Sequence, residues 1–150
     1  MTTRLPDGLI LPQPPKPTGA YRPAVVFGEL LFLSSFGPRD AEGAPIAGMV
    51  GRDFDIDGAR LMARNAGASI LSVLQETLGS LDRVGQVLKL TGMVWAVPGF
   101  DQHPVVIDGC SQLLHEVLGE RGTHARAAFG VASLPFDAPV SIDCICRIEP

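Results

Sequence analysis

HARAAFGVASLPFDAPVSIDCICRI, residues 124–148, is the stretch on which the fold turns. In its second half Val140, Ile142, Cys144, Cys146 and Ile148 recur at every other position, which puts them on one face of an extended strand. Its first half alternates as well. Ala127, Phe129, Val131 and Ser133 share one face, and Arg126, Ala128, Gly130 and Ala132 share the other. The segment LPFDAP between the halves carries the prolines and the aspartate of a connection. The chain is therefore predicted to close with two strands, Arg126–Leu134 and Pro139–Ile148. The bulk of Phe129 and Val131 predicts that their face meets the core. Arg126 would then stand on the opposite face, over a floor of small residues.

Working outward, residues 86–97 (QVLKLTGMVWAV) read as a further strand. Leu88, Leu90, Val94 and Ala96 fall on one face, and Lys89, Thr91, Met93 and Trp95 on the other. The second face is too apolar at Met93 and Trp95 to stand in water, so something is expected to cover it. Trp95 reads as interface packing. Residues 54–78 repeat apolar side chains at steps of three and four (Ala59, Met62, Ala66, Ile70, Val73, Leu74), which predicts a helix with Asp55 as its N-cap and Gly79 just past its end. Residues 104–119 repeat the pattern with Val106, Cys110, Leu113, Val117 and Leu118. Near the start, AVVFG and ELLFLSSF are strands joined by a tight turn at Phe27-Gly28-Glu29. The predicted order is β-β-α-β-α-β-β: an α+β fold with a mixed sheet and both helices on one face. The bare sheet face predicts a homo-oligomer. Residues 1–19 are proline-rich and form an extended arm laid over the surface or over a neighbouring subunit; residues 20–150 form one domain.

The chain has 150 residues, 46% of them hydrophobic and 19% charged, which supplies enough apolar material for a core. Its formal charge is −4, and it lacks the basic stripe that a nucleic-acid binder uses against phosphates. Its short apolar runs predict neither a secretory leader nor a membrane span. The three cysteines, an odd number, suit a reducing cytoplasm better than a disulfide framework. The histidines (His103, His115, His124) show no ligand spacing, so no metal is expected.

Arg126 is the residue that the pattern leaves to be explained. A guanidinium matches a carboxylate with two parallel donors. The bland reading is an ion pair with Asp143, Asp108 or an acid of another subunit; the sharper one is an anion site. Spacing alone favours the ion pair. Asp143 shares a face with Ser141 and reads first as a neutraliser of Arg126 or Arg147. His124 shares the face of Arg126 and titrates near neutrality. It reads as an exposed loop residue, with an acid/base role as the alternative.

GAYRPAV (19–25), FGELLFLSS (27–35), TLGSLDRVGQVLKLTGMV (77–94) and ARAAFGVASLP (125–135) followed by VSIDCI (140–145) resemble the RidA/YjgF family. These are reactive-intermediate deaminases, some of them called L-PSP endoribonucleases, and this chain looks like a divergent branch. The resemblance implies a chorismate-mutase-like fold and a homotrimer whose sheets line a barrel and cover the Met93/Trp95 face. It implies ligand sites between subunits, and hydrolysis of 2-imino or 2-enamino acids to 2-keto acids and ammonia without metal or organic cofactor. It places Arg126 on the family's substrate-carboxylate arginine, Tyr21 on a tyrosine near the site, and Ser34 on the serine of a Ser-Gly-Gln strand end. Ala128 falls where a backbone N–H helps to hold the ligand. Phe36 stands where that strand end has glutamine, and Asp108 where a helix asparagine is expected. The glutamate that positions the attacking water aligns with Ser141, while the acid two residues on, Asp143, is kept. A serine orients water but does not take its proton at neutral pH. The resemblance therefore leaves two readings: a deaminase, or a non-catalytic trimer that binds a small carboxylate-bearing metabolite. The acidic charge speaks against a third, ribonuclease or translation inhibition.

Overall fold

The computed structural model describes residues 2–150. Its elements are β1 (Ala24–Phe27), β2 (Leu30–Leu33), α1 (Ile56–Leu78), β3 (Val84–Trp95), α2 (His103–Leu118), β4 (Ala125–Val131) and β5 (Val140–Ile148). They build one five-stranded sheet in the order β1-β2-β5-β3-β4. All neighbours are antiparallel except β3 and β4. That parallel pair requires a crossover, and α2 supplies it. The expected element order and mixed sheet are thus present.

The first helix, α1, keeps its predicted cap and end. The Asp55 side chain accepts from the Gly58 N–H, and Gly79 closes α1 in the left-handed region at φ 82°, where glycine carries no Cβ penalty. Ala59, Ala63, Ala66 and Gly67 line the buried side of α1. Their small size lets α2 approach so closely that a Cβ on Gly67 would stand 3.0 Å from Cys110 Sγ. The core lies between these helices and the sheet, with Leu31, Leu90, Val94, Ile142 and Cys146 contributed by the strands. Cys110, Cys144 and Cys146 are free and buried.

Two strand faces differ from expectation. In β4, Arg126, Ala128 and Gly130 pair with Leu90, Gly92 and Val94, and Leu90 and Val94 are fully buried under the helices. Arg126 therefore faces α2. The recess expected beside it is filled, because a Cβ on Gly130 would meet the His103 ring at 2.6 Å. Phe129, taken as a core residue, lies on the bare face and is 44% exposed. In β3 the pairing with β5 shifts register between Val87 and Lys89. This bulge adds one residue and breaks the alternation. Val87 takes the inward place and Leu88, expected inward, is exposed.

β4 also ends three residues early. The chain then forms a short turn in which Phe136 (φ 59°) and Asp137 (φ 54°) are both left-handed, a conformation that costs a non-glycine residue. β2 stops at Leu33, and Phe36 returns to the sheet as an isolated bridge to Ile142.

The bare face carries Val25, Phe27, Phe32 and Phe129 as exposed apolar side chains, and Met93 lies opposite Ser141 in the same register. The proline-rich arm lies on its own chain. Leu9 and Leu11 pack against the core, and the Ser72 hydroxyl of α1 donates to the Pro12 carbonyl at 2.6 Å. Among the described residues, no helix is long and apolar enough to cross a membrane.

Candidate active site

The sequence-predicted residues fall into two groups on opposite sides of the sheet. The first surrounds a cavity of about 440 Å³ lined by Tyr21, Ser34, Phe36, Arg39, Phe136 and Ser141. Ser34 directly follows β2 and its hydroxyl donates to the Arg22 carbonyl at 2.6 Å. The Tyr21 phenol accepts from the Thr18 N–H, and its pKa is lowered from the usual phenol value, first by the Thr18 side chain and then by this backbone bond. The backbones of Phe36 and Ile142 exchange hydrogen bonds of 2.9 and 3.0 Å, which ties this wall to β5. Ser141 is buried at its back. The strained Phe136 stands at the rim, half exposed. The sequence signal for its backbone, a Phe-Asp pair after proline, was too weak to single it out.

The second group lies between α2 and the free edge of β4, around a cavity of about 500 Å³ lined by Ser111, His115, Glu116, His124 and Arg126. Arg126 Nη1 donates to Asp108 Oδ1 at 2.7 Å and to Ser111 Oγ at 3.1 Å, and its Nη2 donates to the Pro104 carbonyl at 3.3 Å. In this chain the guanidinium is thus ion-paired, with Asp108 and not with Asp143. The pair is incompletely shielded, with 22% of the Arg126 side chain and 42% of Asp108 exposed.

His124 was expected as an exposed loop residue. It is half-buried, with Nδ1 2.7 Å from the Gly122 carbonyl and Nε2 2.9 Å from Ser111 Oγ. Burial is the main cause that lowers its pKa, and the nearby Arg126 charge works in the same direction. The sequence reading missed Ser111. Its only signal was its place three residues after Asp108 on α2, one helical turn along the same face.

Asp143 pairs with neither arginine that the sequence offered it, since Arg147 bonds Glu149 at 2.8 Å. Asp143 lies opposite Thr91 in the register, on the bare face. Burial there raises its pKa, against a smaller opposing effect of the Thr91 hydrogen bond. Ala128 lies opposite Gly92 on the helix side. Trp95 carries the Arg52 guanidinium 5.6 Å from its ring centroid, a cation–π distance. Among the described residues, no cluster of three His, Cys, Asp or Glu side chains is placed to hold a metal ion.

This arrangement can bind an anion at Arg126 and can hold a polar group in the Tyr21–Ser34–Ser141 cavity. One chain does not bring the two together. A model of the YjgF/chorismate mutase-like, putative endoribonuclease family matches residues 3–146. The chain belongs to this family. Protein TCP17 of Trypanosoma cruzi is 35% identical over 143 residues, which covers 95% of this chain and 89% of the relative. The crystal structure of Atu1372 from Agrobacterium tumefaciens, a protein of unknown function, is 42% identical and superposes with a TM-score of 0.84 over 87% of this chain and 83% of that one. A Shewanella oneidensis structure bearing the endoribonuclease designation is 27% identical, with a TM-score of 0.89 and 93% of each chain covered. The YjgF/chorismate mutase-like fold accounts for the element order, the mixed sheet and the two helices together.

Proposed function

We propose that this YjgF/RidA-family protein is a cofactor-independent deaminase that hydrolyses 2-imino and 2-enamino acids to 2-keto acids and ammonia, acting as a homotrimer in the cytoplasm. In this reading residues 20–150 are the catalytic domain and residues 1–19 an arm that braces α1. Arg126 clamps the substrate carboxylate by its planar fork of donors. Holding the substrate by its carboxylate presents the neighbouring imine carbon in a fixed position, which removes much of the entropic cost of attack. The ligand's carboxylate replaces, or shares, the contact that Asp108 makes now.

The observation that carries the reading is the division of the site. Arg126 opens on the helix side of the edge strand, and Tyr21, Ser34 and Ser141 open on a different cavity. A second copy packed on the bare face and lapping over the free edge of β4 would join one subunit's arginine half to the next subunit's serine–tyrosine half. The exposed Val25, Phe27, Phe32 and Phe129 give that face the apolar character of a homo-oligomer interface. The test generates 2-aminoacrylate in situ with a dehydratase and follows loss of its semicarbazide adduct. Wild type should lower adduct formation and Arg126→Ala should not. Equal adduct with and without wild-type protein would exclude the deaminase.

Ser141 favours a second reading, a trimer of the same build that binds a small carboxylate without chemistry. Under that reading calorimetry detects 2-oxobutanoate binding lost in Arg126→Ala, while the semicarbazide assay stays at background.

A further inference from the structure

We infer that Ser111 and His124 form a proton relay in the arginine half-site and supply there the base that Ser141 is not. The inference rests on the deaminase reading and names the residues that move its proton.

Hydrogen-bond directions fix the relay. The Gly122 carbonyl only accepts, so the His124 nitrogen 2.7 Å from it, Nδ1, carries the hydrogen. In neutral imidazole the other nitrogen, Nε2, is then a lone pair. Nε2 lies 2.9 Å from Ser111 Oγ, so the serine hydroxyl donates to it. Arg126 Nη1, which only donates, occupies one lone pair of the same oxygen at 3.1 Å. One Ser111 lone pair is left for a water in the cavity that Ser111, His124 and Arg126 line together. A base oriented by a third group and joined to a hydroxyl at hydrogen-bond distance is the arrangement that activates such a hydroxyl for proton transfer. Its place beside the carboxylate-binding guanidinium sets the water next to the imine carbon. Burial favours the uncharged, basic form of His124 at neutral pH.

The step balances without a further reactant. Water gives a proton to Ser111 Oγ as Ser111 passes its own to His124 Nε2. The water oxygen bonds to the imine carbon, and the C=N electron pair moves to nitrogen. The proton returns from Nε2 through Ser111 to that nitrogen. The hydroxyl proton of this adduct then passes by the same relay to the nitrogen, the C–N bond breaks with its electron pair going to nitrogen, and ammonia and the 2-keto acid leave. Ser111 touches the water; His124 acts through it and is a positioning residue and proton store.

The charged and titratable groups around His124 are Arg126 of β4, paired with Asp108, and His115 and Glu116 of α2, the latter paired with Arg64. Any pH profile must be read against these.

The test measures kcat and KM for 2-iminopropanoate made in situ, across pH, with Arg126→Ala, Ser111→Ala, Ser111→Thr and His124→Gln, each checked for wild-type thermal unfolding. Removing a general base costs about 10²–10⁴-fold, so kcat should fall on that scale in Ser111→Ala and His124→Gln with KM little changed. Ser111→Thr keeps the hydroxyl and should keep most of the rate. Wild-type kcat should decline as pH falls through the lowered His124 pKa, and this acidic limb should be missing in His124→Gln. Nitrogen NMR of labelled histidine should show His124 protonated on Nδ1 in the neutral form. Wild-type kcat in Ser111→Ala and His124→Gln, with Arg126→Ala inactive, would overturn the relay and leave the deaminase standing. A wild-type rate in Arg126→Ala would overturn both.

Discussion

Gly109→Ala should destabilise the protein although it replaces a poor helix former with the best one. Gly109 lies in α2, next to Asp108, where the helix crosses α1. A Cβ built there would stand 2.0 Å from the Arg60 carbonyl oxygen and 2.9 Å from its carbon, about an ångström inside any contact that real Cβ atoms make. The obstacle is backbone and cannot swing aside, so the two helices must part. Overpacking of a tight core costs about 1–3 kcal/mol, and a rigid backbone obstacle places this site at the upper end. The alanine returns about 1 kcal/mol of helix propensity. The net loss is roughly 2 kcal/mol, or about 4–8 °C in Tm for a chain of this size. Urea unfolding at one fixed protein concentration reads it as a lower midpoint with unchanged slope. Leu61→Ala, on the exposed side of α1, is the control and should stay within about 0.5 kcal/mol. A Gly109→Ala protein as stable as wild type would refute the close helix crossing. It would also loosen the placement of Asp108 and Ser111 that depends on that crossing.

Other changes have equally definite outcomes. Asp108→Asn removes the carboxylate that now occupies Arg126. Half-exposed pairs of this kind are worth about 0.2–1 kcal/mol, so the calorimetric Kd of 2-oxobutanoate should tighten by up to about 5-fold; weaker binding would show that Asp108 holds the arginine in its binding pose. Asp143→Asn should raise stability at neutral pH. Burial raises the Asp143 pKa above its unfolded value, so the native chain binds the extra proton and stability falls as pH rises through that window. The gain from asparagine should vanish in acid, below the ordinary aspartate pKa of about 3.9, and a gain that persists there would point to a different cause. Ser72→Ala breaks the hydroxyl bond to Pro12 and should cost about 1 kcal/mol, with proteolysis within residues 1–19 accelerated.

The helices were legible because two independent signals agree on them: a repeat of three and four, and end residues such as Asp55 and Gly79 whose chemistry stops or starts a helix. The sheet was legible in its strands but not in its faces. Alternation says which residues share a side; it does not say which side meets the helices. Phe129 was placed inward for its bulk, yet this fold keeps a second apolar face, and an apolar interface and an apolar core look alike along one strand. The bulge after Val87 moved Leu88 outward for a reason that leaves no mark in composition. Arg126 stood out as a charge among small residues, and Asp108 was among its named partners. Ser111 and the Gly122 carbonyl did not stand out. Their bonds to Arg126 and His124 join a helix, a short turn and a strand, and only the crossing of those elements brings them together.

The central claim is a deaminase site completed between subunits, and mixed oligomers test it most directly. Arg126→Ala and Tyr21→Ala each damage a different half of the site. Co-refolded in equal amounts, they should recover activity, because about one boundary in four then pairs an intact arginine half with an intact tyrosine half. Each variant alone should be inactive, and the mixture should release ammonia from 2-iminopropanoate at about a quarter of the wild-type rate. A mixture as inactive as its components would contradict a site shared across the boundary.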